Sequence, residues 1–356
     1  MTTPVLAGTH GPAYNGPVGG AVGERGQLMY VITGGAGFIG SNIVWGLEAR
    51  GLGSVAIVDR LREADKWRNV SGREIAHVVD PDNLTAFLTS NGQDITAIIH
   101  MGAISATTER NVDLIIENNF RLSVDLWDWC TANAVRFIYA SSAATYGDGT
   151  HGFEDDSTGS ALALLKPLNP YGWSKHLFDR RVSRIVADGG PTPPQWAGLK
   201  FFNVYGPNEY HKGRMQSVAA QVYPRAAAYE AAILFRSHHP DYTDGGQLRD
   251  FVWVGDCVDI VNWLLDTPSV SGLFNCGSGK ARSFADLATA VYQALGKEPK
   301  IEFVDAPEDV RDKYQYFTEA TMHRLRDAGY EKPMTELEDG VRSYVVDFLH
   351  TDDPYR

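Results

Sequence analysis

The chain contains 356 residues, enough for one large domain or two modest ones. Its 44 Asp and Glu residues outnumber its 32 Lys and Arg residues, which gives a formal net charge of −12. This acidic balance argues against nucleic acid or an anionic membrane as a partner, and no apolar run approaches the length of a membrane span. Cys130, Cys257 and Cys276 are odd in number and far apart, so we expect reduced thiols in a cytoplasm.

The first 28 residues differ in composition from the rest of the chain. They hold seven Gly and three Pro, with few large apolar residues and no periodicity. We expect residues 1–28 to be a flexible extension outside the fold, because such a composition buries little apolar surface. A signal peptide is not expected, because no apolar stretch follows a basic start.

A glycine-rich turn follows the first predicted strand, at 29–33. A helical pattern with one apolar face begins at Ser41. Glycines let the backbone approach a pyrophosphate, whose negative charge the N-terminus of the helix favours. The order of strand, turn and helix therefore predicts a dinucleotide-binding site. The glycines of the turn are Gly34, Gly35, Gly37 and Gly40.

A carboxylate and several cations follow the second predicted strand, at 54–59. Asp59 lies about 20 residues beyond the turn, where a carboxylate is expected to bind the adenosine ribose. Asp59 alone favours NAD because it repels a 2′-phosphate, whereas Arg60, Lys66 and Arg68 can neutralise that phosphate. The alternative is that these cations form a solvated basic loop.

The later pattern alternates between strands and helices. Further strands are predicted at 75–80, 95–103, 136–143 and 199–204, and a long helix at 113–134. This alternation predicts an α/β fold, a doubly wound parallel sheet of the Rossmann type with its ligand at the carboxyl ends of the strands. We therefore expect an NAD(P)-binding Rossmann domain at 29–204.

The alternation stops at Tyr205. Helices are predicted at 219–234, 257–265 and 284–295, and a strand at 251–254. These elements predict a smaller C-terminal lobe that binds substrate. We expect residues 205–356 to form mainly this lobe, with segments at about 232–260 returning to the Rossmann domain.

Tyr171 and Lys175 are candidates for catalysis. Their spacing of i, i+4 near the start of a predicted helix places the phenol and the ammonium on one face. A nearby ammonium lowers the pKa of a tyrosine, and such a phenol can take a proton from an alcohol while hydride leaves its carbon. Ser141 and Ser142 end a predicted strand, where a hydroxyl can bind the reacting oxygen. The alternative is an ordinary surface Tyr and Lys.

Several longer motifs carry a family resemblance. The chain resembles the extended short-chain dehydrogenases/reductases that modify sugar nucleotides, and within them the epimerases that act at C6 of an ADP-linked heptose. The similarity runs from about residue 29 to the C-terminus. Its motifs are TGGAGFIG (33–40), HMGAISATTE (100–109), YASSAATYG (139–147), KPLNPYGWSK (166–175), FFNVYGPNEYHKG (201–213), RDFVWVGD (249–256) and KYQYFTEA (313–320).

The resemblance implies a role for each matching residue. Tyr171 and Lys212 match two acid/base groups on opposite faces of the sugar, and Lys175 and Ser142 match the groups that assist at the reacting centre. The alternative for Lys212 is a cation that binds phosphate. Matches to cofactor-binding positions are Gly34, Gly37, Phe38, Ile39, Gly40, Asp59, Arg60, Lys66, Met101, Gly102, Ala103, Ile104, Ser105, Asn118, Tyr171, Lys175 and Val204.

The resemblance also implies a cofactor and an assembly. The family mostly uses NADP, so we expect NADP, with NAD as a possible substitute. A homo-oligomer is expected, with a pentamer as the family's form. No metal site is expected, because His238 and His239 lack a third ligand at a suitable spacing.

The side of the site that binds the nucleotide sugar departs from the family. Ser142, Asn203, Arg249 and Tyr314 match substrate-binding positions. At other substrate positions the family usually has different residues, which leaves the exact nucleotide and sugar open. These departing positions are Arg214, Gln221, Arg236, Ser237 and His238, whereas Phe235, also a candidate substrate residue, keeps the usual Phe.

The resemblance implies epimerisation of ADP-D-glycero-β-D-manno-heptose at C6 in lipopolysaccharide core heptose biosynthesis. One alternative is another enzyme of this branch, such as a UDP-hexose 4-epimerase or a 4,6-dehydratase. Ala143 and Ala144 argue against dehydration, because dehydratases typically carry an Asp-Glu pair there, and Lys212 favours the 6-epimerase. Another alternative is a non-catalytic protein that senses a dinucleotide, which would be expected to lack Tyr171 or Lys175.

Overall fold

The computed structural model describes residues 28–62, 65–307 and 315–356. The predicted extension therefore lies outside the described residues except for Leu28, and Tyr314 lies outside them as well. The strands within the described residues are β1 (Met29–Thr33), β2 (Ser54–Val58), β3 (His77–Val79), β4 (Ile95–His100), β5 (Arg136–Ser142), β6 (Trp196–Phe201), β7 (Asn203–Tyr205), β8 (Ala232–Phe235), β9 (Leu248–Trp253), β10 (Gly272–Cys276), β11 (Ala281–Ser283) and β12 (Ile301–Val304).

Helices connect these strands. The α-helices of the described residues are α1 (Phe38–Ala49), α2 (Leu84–Asn91), α3 (Val112–Ile115), α4 (Leu122–Ala132), α5 (Gly159–Leu164), α6 (Pro170–Ala187), α7 (Val218–Ala227), α8 (Val254–Asp266), α9 (Phe284–Ala294), α10 (His323–Asp327) and α11 (Leu337–Tyr344). Shorter 3₁₀ and π turns are Asp65–Val70, Pro81–Asn83, Ile116–Arg121, Ala143–Tyr146, Tyr210–Met215 and Val345–Leu349.

Among the described residues, seven parallel strands form the main sheet, in the order β10-β6-β5-β4-β1-β2-β3. The strand order reverses between β1 and β4, and the crevice at such a reversal is where open α/β sheets bind ligands. The predicted doubly wound sheet is therefore confirmed. The smaller sheets pair β11-β9-β7 and β12-β8.

Helices cover both faces of the main sheet, as the side chains of β1 show by pointing alternately to the two faces. Tyr30 and Ile32 pack on one side with Leu47 of α1, in a cluster that also contains α8. Met29 and Val31 pack on the other side, in a cluster that contains α4 and α6. Successive residues of a strand point to opposite faces, so a strand covered on both faces is apolar throughout. A third cluster joins α7, α9 and α11 around β8 and β9.

Two predicted elements are wrong in extent. The helix expected at 219–234 ends at Ala227 and is followed by β8, because Tyr229 takes a left-handed φ of +57° and the chain then pairs with β12. The helix expected at 113–134 is interrupted at Ile116–Arg121 by a wider π turn, which buries Asn119. Such turns are frequent at functional sites.

The strand that returns to the main sheet is β10, at residues 272–276. It lies beyond the range of about 232–260 that the sequence predicted. Within that range β8 and β9 pair in the smaller sheets, whereas α8 packs against α1 of the Rossmann unit. The wider division into a unit at 29–204 and a lobe at 205–356 stays a prediction.

The structure limits some classes of site. Among the described residues, no helix is both long and apolar enough to cross a membrane. The same residues contain no group of three or more His, Cys, Asp or Glu side chains that could hold a metal ion. The three cysteines are buried and free.

Candidate active site

The glycine turn between β1 and α1 is packed too closely for side chains. Gly34 has a left-handed φ of +66°, and a Cβ there would lie 2.7 Å from the backbone nitrogen of Gly102. A Cβ on Gly40 would lie 2.2 Å from the carbonyl oxygen of Gly34. No side chain caps α1 at Gly37, so the first turn of this helix presents backbone N–H groups that suit a pyrophosphate. The turn therefore fits the phosphates of a dinucleotide.

Asp59 follows β2 and is held beside this turn. Its Oδ2 accepts a hydrogen bond from the Ala36 backbone at 3.0 Å, and its Oδ1 lies 2.5 Å from the Lys66 ammonium. Arg60 forms an exposed ion pair with Asp82. Because Lys66 balances the Asp59 carboxylate, the repulsion of a 2′-phosphate is reduced. The structure thus brings together three of the predicted cofactor residues at one end of the sheet.

The loop at 101–105 follows β4 at the same edge of the sheet. Asn119 fixes this loop: its side chain accepts from the backbone N–H of Ile104 at 2.8 Å and donates to the carbonyl of Ile104 at 3.0 Å. Asn119 also donates to the Ser174 hydroxyl of α6 at 3.1 Å. The predicted Asn118 instead donates to Leu114 of its own helix at 2.8 Å. Asn119, which sequence reasoning missed, therefore supports both the loop and α6.

Tyr171 and Ser142 meet at the end of β5. Asn169 caps α6 by accepting from the Gly172 backbone at 2.8 Å, which starts the helix just before Tyr171. The phenol of Tyr171 shares a hydrogen bond with the Ser142 hydroxyl, an interaction that lowers the phenol's pKa. Lys175 follows one helical turn later and is buried. The structure therefore brings these three predicted catalytic residues to one edge of the sheet.

The pKa of Tyr171 differs from the prediction. Burial raises it above its ordinary value, and this effect outweighs the hydrogen bond from Ser142. The expected lowering by Lys175 is therefore wrong for the chain alone. Burial also lowers the pKa of Lys175 to about 8, with Asp179 opposing that shift. Because this pKa lies close to neutral pH, small changes in the surroundings of the ammonium alter its charge.

A buried ion pair lies beside β5. The Lys200 ammonium and the Asp179 carboxylate are 2.8 Å apart, and both side chains are 0% exposed. Asp179 also accepts from the Ser141 hydroxyl at 2.7 Å, and Lys200 donates to the Thr145 hydroxyl at 2.6 Å. The pair thus holds Ser141 and Thr145, which precede and follow Ser142 in the chain. Sequence reasoning missed it, although Asp179 follows Lys175 at i+4.

Lys212 lies beside the dinucleotide turn. Its ammonium is 5.1 Å from the centroid of the Phe38 ring, and Phe38 begins α1. Burial lowers the pKa of Lys212, whereas the carboxylate of Glu209 raises it. A lysine in this environment can exchange a proton more readily than an exposed one. The fold therefore places Lys212 at the cofactor side of the site, far along the chain from Phe38.

A cleft of about 510 Å³ lies between α7, β8 and α9. Its lining includes three predicted substrate residues, Arg214, Gln221 and Phe235. The structure adds Arg225 and Gln247, which the sequence did not single out. The cleft has the size of a small-molecule site, and its two guanidinium groups belong to residue types that suit phosphate, although that of Arg225 already lies 3.6 Å from the Glu230 carboxylate.

Other predicted substrate residues lie near this cleft. The guanidinium of Arg249 lies 5.6 Å from the centroid of the Phe284 ring, which lines the cleft. Arg236 lies 3.9 Å from Asp244 in a polar loop. The same loop contains Ser237 and His238, whose backbone N–H groups donate to Asp244 and Tyr316, respectively. Asn203 and Val204 begin β7, which pairs with β9.

Comparisons with known proteins agree with this geometry. The model of the NAD dependent epimerase/dehydratase family matches residues 30–277. The ADP-L-glycero-D-manno-heptose-6-epimerase of Nitratidesulfovibrio vulgaris is 51% identical over 329 residues, which are 92% of this chain and 100% of the relative. The protein of that name from Fusobacterium nucleatum is 46% identical, with the same shares of 92% and 100%.

Solved structures give the same result. The ADP-L-glycero-D-manno-heptose-6-epimerase of Helicobacter pylori has a TM-score of 0.73 and 27% identity, covering 90% of this chain and 96% of its own. The UDP-glucose 4-epimerase of Thermus thermophilus, solved with NAD, has a TM-score of 0.68 and 26% identity, covering 88% and 97%.

These findings confirm the predicted resemblance, the fold class and a nicotinamide dinucleotide as cofactor. The roles of individual residues, the preference for NADP and the assembly stay predictions. The match spans most of the chain and includes the glycine turn, the Tyr171 helix and the strands between them. The chain therefore belongs to the NAD-dependent epimerase/dehydratase family.

Proposed function

We propose that this chain is an isomerase that interconverts ADP-D-glycero-β-D-manno-heptose and ADP-L-glycero-β-D-manno-heptose at C6. The observation that carries the proposal is the 51% identity to a named 6-epimerase over that relative's full length. The geometry supports it, because Tyr171, Ser142 and Lys175 meet at the strand edge where the dinucleotide turn also lies.

The chemistry follows from the substrate. The proton on C6 is not acidic, so direct removal by a base is implausible. A nicotinamide dinucleotide held at the glycine turn would supply the acceptor and the donor for the hydride that leaves C6 and returns to it. Removing hydride from C6 and a proton from its hydroxyl gives a ketone that is planar at C6. Rotation about the exocyclic bond then exposes the opposite face to the returning hydride, which inverts the centre.

The residues of the site handle the proton and the oxygen. Ser142 donates a hydrogen bond to the reacting oxygen, and Tyr171 exchanges the hydroxyl proton on one face. Lys175 binds the cofactor's ribose. Lys212 exchanges the proton when the opposite face is presented. Its pKa, lowered by burial, supports this role, as does its place beside Phe38.

We further propose NADP as the preferred cofactor, with NAD as a substitute. The charge of Lys66 balances that of Asp59, and Arg60 lies directly after Asp59 in the chain. The site around Asp59 can therefore accept a 2′-phosphate. Within the substrate cleft, Arg214 and Arg225 supply charge for the diphosphate of the nucleotide sugar. Arg249, Phe235 and the loop with Arg236 complete the nucleotide-sugar side.

The setting of the enzyme is also a proposal. We infer a cytoplasmic homo-oligomer, a pentamer by the resemblance, that serves lipopolysaccharide core heptose biosynthesis. Its acidic charge supports a small-molecule substrate and no nucleic-acid partner. Light scattering after size exclusion gives the subunit number; a monomer at micromolar concentration would contradict the assembly.

Nuclear magnetic resonance tests the function directly. Purified protein is incubated with ADP-D-glycero-β-D-manno-heptose, and in a parallel sample with UDP-glucose. We expect the L-glycero product in the first sample and no turnover of UDP-glucose in the second. Tyr171→Phe keeps the ring, loses the proton-transfer group and is expected to lower kcat by about a hundredfold or more. Turnover of UDP-glucose alone would instead favour a 4-epimerase.

A further inference from the structure

Residues 353–356 lie against the short segment that carries Lys212. The Tyr210 hydroxyl donates to the carbonyl of Pro354 at 2.8 Å. The rings of Tyr210 and Tyr355 meet edge to face with centroids 5.1 Å apart. Tyr210 begins the 3₁₀ turn that contains Lys212. The 353–356 segment therefore packs on the element that presents the amine to the dinucleotide turn.

Arg356 anchors this segment at the other side. Its guanidinium donates to the side-chain oxygen of Asn42 at 3.0 Å, and its backbone N–H donates to that of Asn208 at 2.9 Å. The same guanidinium lies 4.3 Å from the ring centroid of Trp45 and 5.1 Å from that of Phe348. Burial lowers the pKa of Arg356 to about 10. The hydrogen bonds and ring contacts offset the cost of burying this charge.

Asn42 and Asn208 connect Arg356 to the residues around Lys212 by hydrogen bonds. Asn42 and Asn208 are both 0% exposed. Asn42 donates to the carbonyls of Phe38 at 2.9 Å and Pro207 at 3.0 Å. Asn208 donates to the Ser41 hydroxyl at 3.0 Å. The first turn of α1 is thereby bonded to the loop that directly precedes the Lys212 segment, and Arg356 bonds both of the asparagines that join them.

We propose that Arg356 is a positioning residue that acts through Asn42 and Asn208 to hold the Lys212 ammonium beside the first turn of α1. This inference rests on the proposed function, in which Lys212 exchanges a proton. In this proposal Arg356 acts through its bonds to the two asparagines and is given no contact with the substrate. Without Arg356 the side-chain oxygens of Asn42 and Asn208 lose their donors, so the loop at 207–209 is held less firmly against α1 and the amine keeps a less fixed place over Phe38.

Chemical labelling gives a readout that is independent of turnover. Lys212 acetylation is followed by peptide mass spectrometry over a pH series in wild type and in Arg356→Met, which keeps an unbranched stem and loses the guanidinium. Glu209 and His211 are the titratable groups that interact with Lys212, and Lys66 and Asp59 are the charged groups that interact with His211. We expect an apparent pKa of Lys212 closer to that of an exposed lysine in the variant, and faster labelling at pH values above that pKa, where the amine is unprotonated in both proteins. Arg356→Lys is expected to restore part of the wild-type profile.

Controls separate positioning from general loosening. Arg342→Met removes an exposed guanidinium of α11 that pairs with Asp339 at 3.7 Å, and we expect no change in Lys212 labelling. Lys200, which is 0% exposed, reports on global opening in every sample. Equal acceleration at Lys200 and Lys212 in Arg356→Met would overturn the proposal, as would a Lys212 profile like that of Arg342→Met.

Turnover completes the test. Expressed per bound dinucleotide, kcat of Arg356→Met is expected to fall about tenfold to a hundredfold, because a small misplacement of a catalytic group costs about that much. KM for the nucleotide sugar is expected to stay close to wild type. An unchanged kcat would overturn the positioning role. Failure of the wild-type enzyme to epimerise the heptose would refute the proposed function instead, and the labelling would still decide whether Arg356 holds Lys212.

Discussion

Asp179→Asn is expected to destabilise the fold strongly. The substitution keeps the shape of the side chain and leaves the Lys200 ammonium, 0% exposed, without the carboxylate now 2.8 Å away. Removing one partner of a buried ion pair costs about 3–5 kcal/mol, because the remaining charge is uncompensated. In a protein of this size each kcal/mol lowers Tm by about 2 °C, so we expect a loss of about 6–10 °C.

A double variant tests the reasoning behind this magnitude. Asp179→Leu combined with Lys200→Met removes both charges at similar volume, which is often neutral or stabilising. Both variants deprive the hydroxyls of Ser141 and Tyr139 of a carboxylate acceptor. Only Asp179→Asn leaves the buried ammonium uncompensated, so a net loss smaller than that of Asp179→Asn is expected for the double variant. Thermal unfolding followed by tryptophan fluorescence measures both variants. An equal or larger loss in the double variant would refute the uncompensated-charge explanation.

Three further predictions concern the site. Burial lowers the pKa of Lys175 to about 8, so its charge is present below that pH and lost as the pH rises through it. NADP binding measured by calorimetry is expected to weaken across this range in wild type, and to lose that pH dependence in Lys175→Met. Arg60→Ala is expected to weaken NADP by about 1 kcal/mol and NAD much less, since an exposed charged contact contributes about that much; equal losses would remove Arg60 from the 2′-phosphate site. Lys212→Met is expected to lower kcat by about a hundredfold or more with little change in KM, as for a proton-transfer group. A raised KM with unchanged kcat would make Lys212 a phosphate-binding cation.

The parts of the site that the sequence predicted are those set by local chemistry. The turn with Gly34 and Gly40 requires a close approach of backbone segments that only glycine allows, so the glycine pattern predicts the turn. Tyr171 and Lys175 share a helix, so their spacing alone places them together. Lys212 was found through the family resemblance, and only the fold shows that it lies over Phe38.

The parts that the sequence missed depend on contacts between distant residues. Lys200 and Asp179 lie on different elements, so no local pattern shows that they pair. Arg356 bonds Asn42 across most of the chain. The helix expected at 219–234 was too long because its alanines favour a helix, whereas pairing with β12 selects a strand from Ala232. Tertiary pairing overrides propensity in that segment.

The central claim is that the configuration at C6 inverts through transient oxidation by the bound cofactor. The most direct measurement is turnover of ADP-D-glycero-β-D-manno-heptose in D₂O, with deuterium at C6 of the product read by NMR. We expect the L-glycero epimer with protium kept at C6, because the hydride leaves and returns without exchanging with solvent. Deuterium at C6 would show direct proton exchange with solvent and would contradict the account, as would the absence of the L-glycero product.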